Sequence, residues 1–100
     1  MRGPEAKVKD AIKTYLKEIG AYQFWPVQTG YGAATVDVLV CWRGLFLAIE
    51  VKRGDTRPKA TLRQVTVLQE IAAAGGATLI AYSVDEVKAR LRALHPYTSP

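Results

Sequence analysis

Apolar residues recur at helical spacing in three segments of the chain. In residues 4–19 they return every three or four positions, and Gly20 ends the pattern. Residues 61–64 and 83–86 each match a capping box, and each opens a further helical stripe. The sequence therefore predicts three amphipathic helices, the second ending at Gly75-Gly76. The first helix is expected to have a solvated face formed by its lysines, and contact of this face with DNA is the alternative. These lysines are Lys7, Lys9, Lys13 and Lys17.

Between the helices the pattern changes to that of β-strands. Ala21–Val27 predicts a short strand, which Pro26 confines to a sheet edge or a bulge. Two β-rich runs from Ala34 to Arg53 flank Arg43-Gly44, which predicts a hairpin turn. Residues 78–82 predict a last strand. The element order α-β-β-β-α-β-α is that of an α/β protein in which a small mixed sheet is flanked by helices.

The hairpin turn fixes which residues oppose each other. A turn centred between Arg43 and Gly44 predicts one wholly apolar sheet face, on which Val36 faces Val51, Val38 faces Ile49 and Val40 faces Leu47. The other face is expected to be mostly apolar and covered by a helix. Its opposed pairs are Cys41 with Phe46, Leu39 with Ala48, Asp37 with Glu50, and Thr35 with Lys52.

Among these opposed pairs, Asp37 with Glu50 is the most informative about function, because like charges directly opposite each other on a sheet are destabilising. A divalent cation would offset the repulsion, since carboxylate oxygens are ligands that Mg²⁺ prefers. Lys52 points to the same face, where an ammonium can steady a nucleophilic water or a phosphate oxygen. This combination is typical of phosphodiester hydrolysis. The alternatives are a surface ion-pair cluster, or a bulge that moves the carboxylates to opposite faces.

Two further polar residues lie on apolar helix faces. Glu5 precedes Val8 by three positions, so it lies on the inward stripe and suggests a partner inside, although a helix dipole also favours an N-terminal glutamate. Gln64 closes a capping box, yet it precedes Leu68 by four positions and therefore points toward the charged end of the sheet. Both roles remain open for each residue.

The composition limits the classes of protein to which this chain can belong. The 100 residues fit one domain, and the 49% apolar content excludes a disordered chain. The lack of a long apolar run or an apolar leader predicts a cytoplasmic protein without a membrane partner. A single cysteine, Cys41, and a single histidine, His95, leave no intrachain disulfide and no Cys/His zinc cluster.

The net charge of +5 is compatible with a polyanionic partner. Four basic side chains are candidates for contacts with phosphate groups: Arg53, Arg57, Lys59 and Arg63.

Asp37 followed by the Glu50-Val51-Lys52 triplet resembles the signature of PD-(D/E)XK nucleases, and the element order resembles their restriction-endonuclease-like core. More narrowly, the sequence is similar to the VRR-NUC family over nearly the whole chain. One departure is Val36, where the family usually has proline before the aspartate. The similarity rests on Gly32, residues 37–40, Arg43-Gly44, residues 48–53, Gln64 and residues 74–76.

The resemblance implies a role for each site residue. Asp37, Glu50 and the Val51 carbonyl would hold Mg²⁺, for which Mn²⁺ would substitute, and Lys52 would be the catalytic lysine. Glu5 would match the metal-binding carboxylate of the N-terminal helix, and Gln64 the glutamine that supports the site. The residues numbered 91–100 are expected to form in part a poorly ordered tail.

The function implied is a metal-dependent DNA endonuclease of a bacterial or phage-infected cell, acting on branched DNA as a Holliday junction resolvase. Standalone members of this size resemble phage-type resolvases that act as homodimers, with no small-molecule substrate. Phe24, Trp25 and Trp42 are candidates for the dimer interface, or else ordinary core residues. The alternative functions are a flap or general nuclease without junction preference and a catalytically silent DNA-binding module.

Overall fold

The structure is a computed structural model, and it describes residues 3–27 and 35–95. Within these residues the elements follow the predicted order. They are α1 Pro4–Glu18, β1 Tyr22–Phe24, β2 Val38–Trp42, β3 Leu45–Val51, α2 Leu62–Ala73, β4 Ala77–Ala81 and α3 Val84–Leu94. Residues 28–34, among them Gly32, and the tail beyond His95 lie outside the described residues, whereas positions 91–94 belong to α3.

The four strands form one mixed sheet in the order β1-β2-β3-β4. β1, β2 and β3 are antiparallel neighbours, and β4 runs parallel to β3 because α2 carries the chain back across the sheet. Arg43 and Gly44 both have positive φ, 51° and 82°, which suits the tight two-residue turn between β2 and β3. The predicted register is confirmed from Val38 with Ile49 to Cys41 with Phe46.

The predicted pairing does not extend past Val38. Thr35 and Val36 lie outside the strand, and Asp37 lies at a bend where its side chain accepts a hydrogen bond from the Val51 N–H. The bend interrupts the alternation of side chains, so Val36 packs with Ala48 and Leu68 on the other side of the sheet. The predictions that place Val36 on the face of Val38 and that extend the ladder to Thr35 are therefore wrong.

One face of the sheet is closed by α1 and α3. Ile12 and Leu16 of α1 and Leu91 of α3 are fully buried against the strand residues that the alternation assigned to this face. Burial of each such side chain stabilises the fold by about 1.5–3 kcal/mol. Trp42 belongs to this core with 3% exposure, so of the two alternatives for this residue the structure selects the ordinary core residue.

The opposite face is covered by α2 only near β3 and β4, where Leu68 is buried among Val36 and Ala48. Toward the hairpin turn the sheet is open, which corrects the expectation of a helix-covered face. We call this region the open sheet face. Its exposed residues are Tyr22 at 68%, Phe24 at 51%, Phe46 at 46% and Cys41.

Local sequence explains the element ends. β1 is an edge strand that stops before Pro26, as predicted. The Thr61 hydroxyl accepts the Gln64 N–H and caps α2, and Ser83 likewise accepts the Glu86 N–H at α3. The second capping box is incomplete, since Glu86 accepts from the Tyr82 N–H instead. Among the described residues, no helix is both long and apolar enough to span a membrane.

Candidate active site

Asp37 and Glu50 meet where β2 begins and β3 ends. The 2.8 Å hydrogen bond from the Val51 N–H to Asp37 Oδ2 holds the aspartate beside the last residues of β3. The Asp37 side chain is 13% exposed, and Glu50 as a residue is 4% exposed. The two carboxylates are close enough to influence each other's protonation. The structure thus brings the predicted acidic pair together, although through this bend and not through regular strand pairing.

Glu50 is incompletely satisfied. Its Oε1 accepts a 2.9 Å hydrogen bond from Gln64 Nε2, while its buried Oε2, as long as both carboxyl groups are ionised, has no hydrogen-bond partner within the described part of the chain. Burial raises the pKa of Glu50 to about 8, and the neighbouring Asp37 adds to the rise, because a protonated Glu50 can share its proton with that carboxylate. A buried carboxylate with one unpartnered oxygen is an expected feature of a cation site.

Gln64 performs both of the roles that its position in the sequence allowed. Its Oε1 accepts a 2.9 Å hydrogen bond from the Thr61 N–H and so completes the capping box of α2. Its Nε2 reaches Glu50 across the sheet face at the same time. The cap fixes the side chain in one position, so the amide that orients Glu50 is held by the start of the helix.

Lys52 follows directly after β3. Its N–H donates a 2.9 Å hydrogen bond to the Ala81 carbonyl, so the backbone stays bound to the end of β4 at this point. At Gly54 a Cβ atom would lie 2.6 Å from the Tyr82 carbonyl oxygen, which only glycine tolerates. The Lys52 ammonium lies close enough to Glu50 to oppose the rise of its pKa. The acidic pair and the predicted catalytic lysine therefore share one location.

Lys9 belongs to this site and not to a purely solvated lysine face. Its Nζ lies 3.3 Å from Asp37 Oδ1 and 3.3 Å from Glu5 Oε2. Partial burial opposes its charge, but Asp37 and Glu5 outweigh that effect and raise the pKa of Lys9. The expectation for Lys9 is therefore wrong. The spacing of four residues between Glu5 and Lys9 is typical of a helical ion pair and so indicated that contact. The contact between Lys9 and Asp37 was not visible in the sequence.

Glu5 lies next to the site, where its carboxylate forms an ion pair with Lys9. Its side chain is 46% exposed, which makes it far more accessible than Asp37. Lys9 thus connects Glu5 to the acidic pair.

The basic loop after β3 contains ion pairs of its own. Arg53 forms a two-pronged pair with Asp55, with both distances 2.6 Å. Arg57 has a positive φ of 48°, lies 4.1 Å from the Tyr82 ring centre, and donates a 3.2 Å hydrogen bond to Glu86. The Tyr82 hydroxyl donates to the Pro58 carbonyl, so the loop is anchored to the start of α3. Lys59 and Arg63 are exposed beside it.

The donor atoms fit a hard divalent cation better than a softer metal. No group of three or more His, Cys, Asp or Glu side chains suited to a metal occurs in residues 3–27 and 35–95. Magnesium ordinarily needs only one or two carboxylates, because water and substrate phosphate complete its octahedron. Asp37 and Glu50 supply that pair, and the unpartnered Glu50 Oε2 is an oxygen that a cation would satisfy.

One solved structure is similar to nearly all of this chain. It is described as a VRR_NUC domain, with a TM-score of 0.74 and 21% sequence identity, and the match covers 96% of this chain and 100% of that chain. This chain has the fold of a VRR-NUC domain. No protein-family model matches the sequence, and no curated protein matches it significantly.

The match confirms the predicted fold class. Within the VRR-NUC fold, the acidic pair lies where two strands and α2 converge, so the same elements that define the fold also place Asp37, Glu50 and Gln64 together.

Proposed function

We propose that this chain is a metal-dependent endonuclease of the VRR-NUC family that hydrolyses phosphodiester bonds in branched DNA, with the Holliday junction as its preferred substrate. The observation that carries the proposal is the Glu50 carboxylate, buried beside Asp37 with one oxygen lacking a partner. Lys52 and Gln64 lie next to this acidic pair. The VRR-NUC fold supports the same conclusion.

Asp37, Glu50 and the Val51 carbonyl would hold the metal, which we propose to be Mg²⁺ with Mn²⁺ as a substitute. When bound, such an ion activates water and neutralises a phosphoryl oxygen. Gln64 holds one Glu50 oxygen so that the other faces the cation. Lys52 contributes a positive charge next to Glu50, and we assign it to the attacking water or a phosphate oxygen.

We propose that the DNA backbone contacts the basic loop that follows β3. Lys59 and Arg63 are exposed and lie next to the site along the chain, so phosphates are their expected partners. Arg53 and Arg57 are already paired with Asp55 and Glu86 on the surface. Exposed pairs of this kind are weak, so a phosphate can compete for either arginine. The basic surface fits DNA as the substrate, and we propose that the chain acts in the cytoplasm.

A second copy of the chain is the partner that we propose for the open sheet face. Three aromatic rings there are roughly half exposed or more, which amounts to roughly 300 Å² of aromatic surface. A stable interface needs about 800 Å² from each partner, so this patch would form its apolar centre. Phe46 precedes Glu50 by four strand residues, which separates the patch from the acidic pair by roughly 13 Å. A symmetric dimer through this face would supply two sites at a fixed spacing, which the paired cuts in a junction require.

The proposed activity is tested on a four-way junction, a flap and a linear duplex of matched sequence. We expect cleavage with Mg²⁺ or Mn²⁺, no cleavage with Ca²⁺ or in excess EDTA, and the highest rate on the junction. Equal rates on junction and flap would favour a nuclease without junction preference. Binding without cleavage under every metal condition would favour a silent DNA-binding module and contradict the proposal.

The dimer is tested separately by light scattering. Phe24→Glu places a charge on the open sheet face and is expected to give a monomer, whereas Leu62→Glu changes an exposed residue on α2 and is expected to leave the dimer intact. Cys41 adds an independent readout, because its reaction with a thiol reagent should slow as protein concentration rises. A monomer mass for the unmodified protein at working concentration would contradict the dimer proposal.

A further inference from the structure

The Lys9 ammonium lies between two carboxylates, Glu5 and Asp37, to which the family resemblance assigns metal binding. It is 3.3 Å from Glu5 Oε2 and 3.3 Å from Asp37 Oδ1, while its side chain is 29% exposed. α1 supplies both Glu5 and Lys9 one turn apart, and the bend before β2 supplies Asp37. A compact ammonium at this distance from two acidic groups occupies the location that a cation shared by them would need.

The contacts of Asp37 divide its carboxylate between different partners. Oδ2 accepts the Val51 N–H and Oδ1 contacts Lys9, so the edge of Asp37 that faces α1 already has a cation. Glu50 has no ion-pair contact among the described residues, although the charge of Lys52 acts on it. Its Oε1 accepts from the neutral amide of Gln64, and its Oε2 has no partner in this part of the chain. The need for a positive charge is therefore greatest on the Glu50 side of Asp37.

We propose that Lys9 takes the place of a second metal ion, so that this centre binds a single divalent cation, at Asp37 and Glu50, and Glu5 holds Lys9 and does not ligate metal. The proposal rests on the nuclease function proposed above and specifies its metal site. It gives Glu5 a role different from the metal ligand that the family resemblance implies.

The local charges agree with one ion. The centre contains three carboxylates and the two ammonium groups of Lys9 and Lys52. Arg53 also acts on Glu5, but its charge is balanced by its ion pair with Asp55. With the carboxylates ionised, one divalent cation leaves a single positive charge, which one phosphodiester neutralises. A second divalent ion would leave three positive charges in a partly buried site, where unpaired charge is costly.

The test counts bound Mn²⁺ by electron paramagnetic resonance on the full chain. We expect one ion per chain in the unmodified protein and in Lys9→Arg, which keeps the cation. Lys9→Met frees the Glu5 side of Asp37 and is expected to bind two ions at the same free Mn²⁺ concentration. Lys7→Met, an exposed lysine on the same helix, serves as the matched control and should bind one. Adding Glu5→Gln to Lys9→Met should return the count to one.

Two ions in the unmodified protein would overturn the proposal, and so would a single ion in Lys9→Met, even if bound more tightly. If Lys9→Met does not fold, Glu5→Gln alone decides. Unchanged Mn²⁺ affinity supports the proposal, and a tenfold or greater loss overturns it by showing that Glu5 is a ligand. Absence of any bound Mn²⁺ together with absence of cleavage would contradict the nuclease function itself, whereas two ions with intact cleavage would contradict only the role of Lys9.

Discussion

Glu50 and Asp55 are carboxylates close in the sequence but in opposite environments. Glu50 is 4% exposed, its Oε2 has no partner in the described part of the chain, and its pKa is raised to about 8. Asp55 is exposed, both of its oxygens accept hydrogen bonds from Arg53, and these bonds lower its pKa to about 2. One carboxylate thus has a full set of partners and the other does not.

The difference indicates where function resides. The Arg53–Asp55 pair forms within a surface loop and needs nothing else, and exposed pairs of this kind contribute little to stability. The fold instead keeps Glu50 buried and incompletely paired, at a cost in free energy. A protein keeps such a group where a ligand completes it, so we expect substitutions at the two positions to differ sharply.

The largest expected effect is on cleavage. Asp37→Asn and Glu50→Gln each remove a charged oxygen proposed to hold the metal, and we expect cleavage to fall by at least about 1,000-fold, since metal stabilisation of the transition state is worth several kcal/mol. DNA binding should persist or improve, because carboxylate repulsion of phosphate is reduced. Asp55→Asn is the control and should cleave nearly normally. Cleavage assays with purified, folded variants measure this. Near-normal cleavage by Glu50→Gln would remove the distinction between the two carboxylates.

The next largest effect is the pH dependence of the free energy of unfolding of the metal-free protein. Because the pKa of Glu50 is about 8 in the fold and near 4.5 when exposed, the fold retains a proton that the unfolded chain releases. This contribution to stability is fully present below pH 4.5 and is lost as the pH rises toward 8. We expect the free energy of unfolding in EDTA to fall by a few kcal/mol across this range. Urea unfolding measures it. Glu50→Gln should abolish the decline and Asp55→Asn should retain it; a decline that survives Glu50→Gln would assign it to another group.

A smaller effect separates the two roles of Gln64. Thr61→Ala removes the cap of α2 and is expected to cost about 1 kcal/mol. Gln64→Ala keeps the bond from its own backbone N–H to the Thr61 hydroxyl but removes the acceptor of the Thr61 N–H and the donor to Glu50. It leaves a buried acceptor without its partner, so we expect a cost of about 2–3 kcal/mol. Urea unfolding at one pH compares the variants. Equal costs would mean that the bond to Glu50 adds nothing to stability.

The smallest effect belongs to the exposed loop. Neutralising Lys59 or Arg57 should weaken binding to all DNA sequences and lower the slope of log K against log salt by about one unit. Arg57→Ala also breaks the pair with Glu86, so Glu86→Gln is its control and should leave the slope unchanged. Titrations at several salt concentrations measure it. An unchanged slope for both cation variants would make the loop a solvated surface.

Much of this fold was predictable because local patterns agree with it. Amphipathic stripes, the Thr61 capping box and the Arg43-Gly44 turn each specify their element without distant contacts. The register between Val38 and Trp42 followed from the turn alone. Asp37, Glu50, Lys52 and Gln64 were identifiable as candidates from their residue types and spacing, although the strand pairing predicted for Asp37 is replaced by its bond to the Val51 N–H.

Other features depended on contacts that no local pattern encodes. The bend at Asp37, which moves Val36 to the other side of the sheet, exists because the Asp37 side chain binds the Val51 N–H fourteen residues away. Lys9 resembles any solvated lysine in the sequence, and only the packing of α1 against the sheet brings it to Asp37. The open sheet face likewise arises because α2 covers only part of the sheet. The sequence by itself determined the elements and their chemistry, because those depend on neighbours in the chain. Only the tertiary structure decided which charges meet and which surface stays uncovered, because packing distances between distant segments govern both.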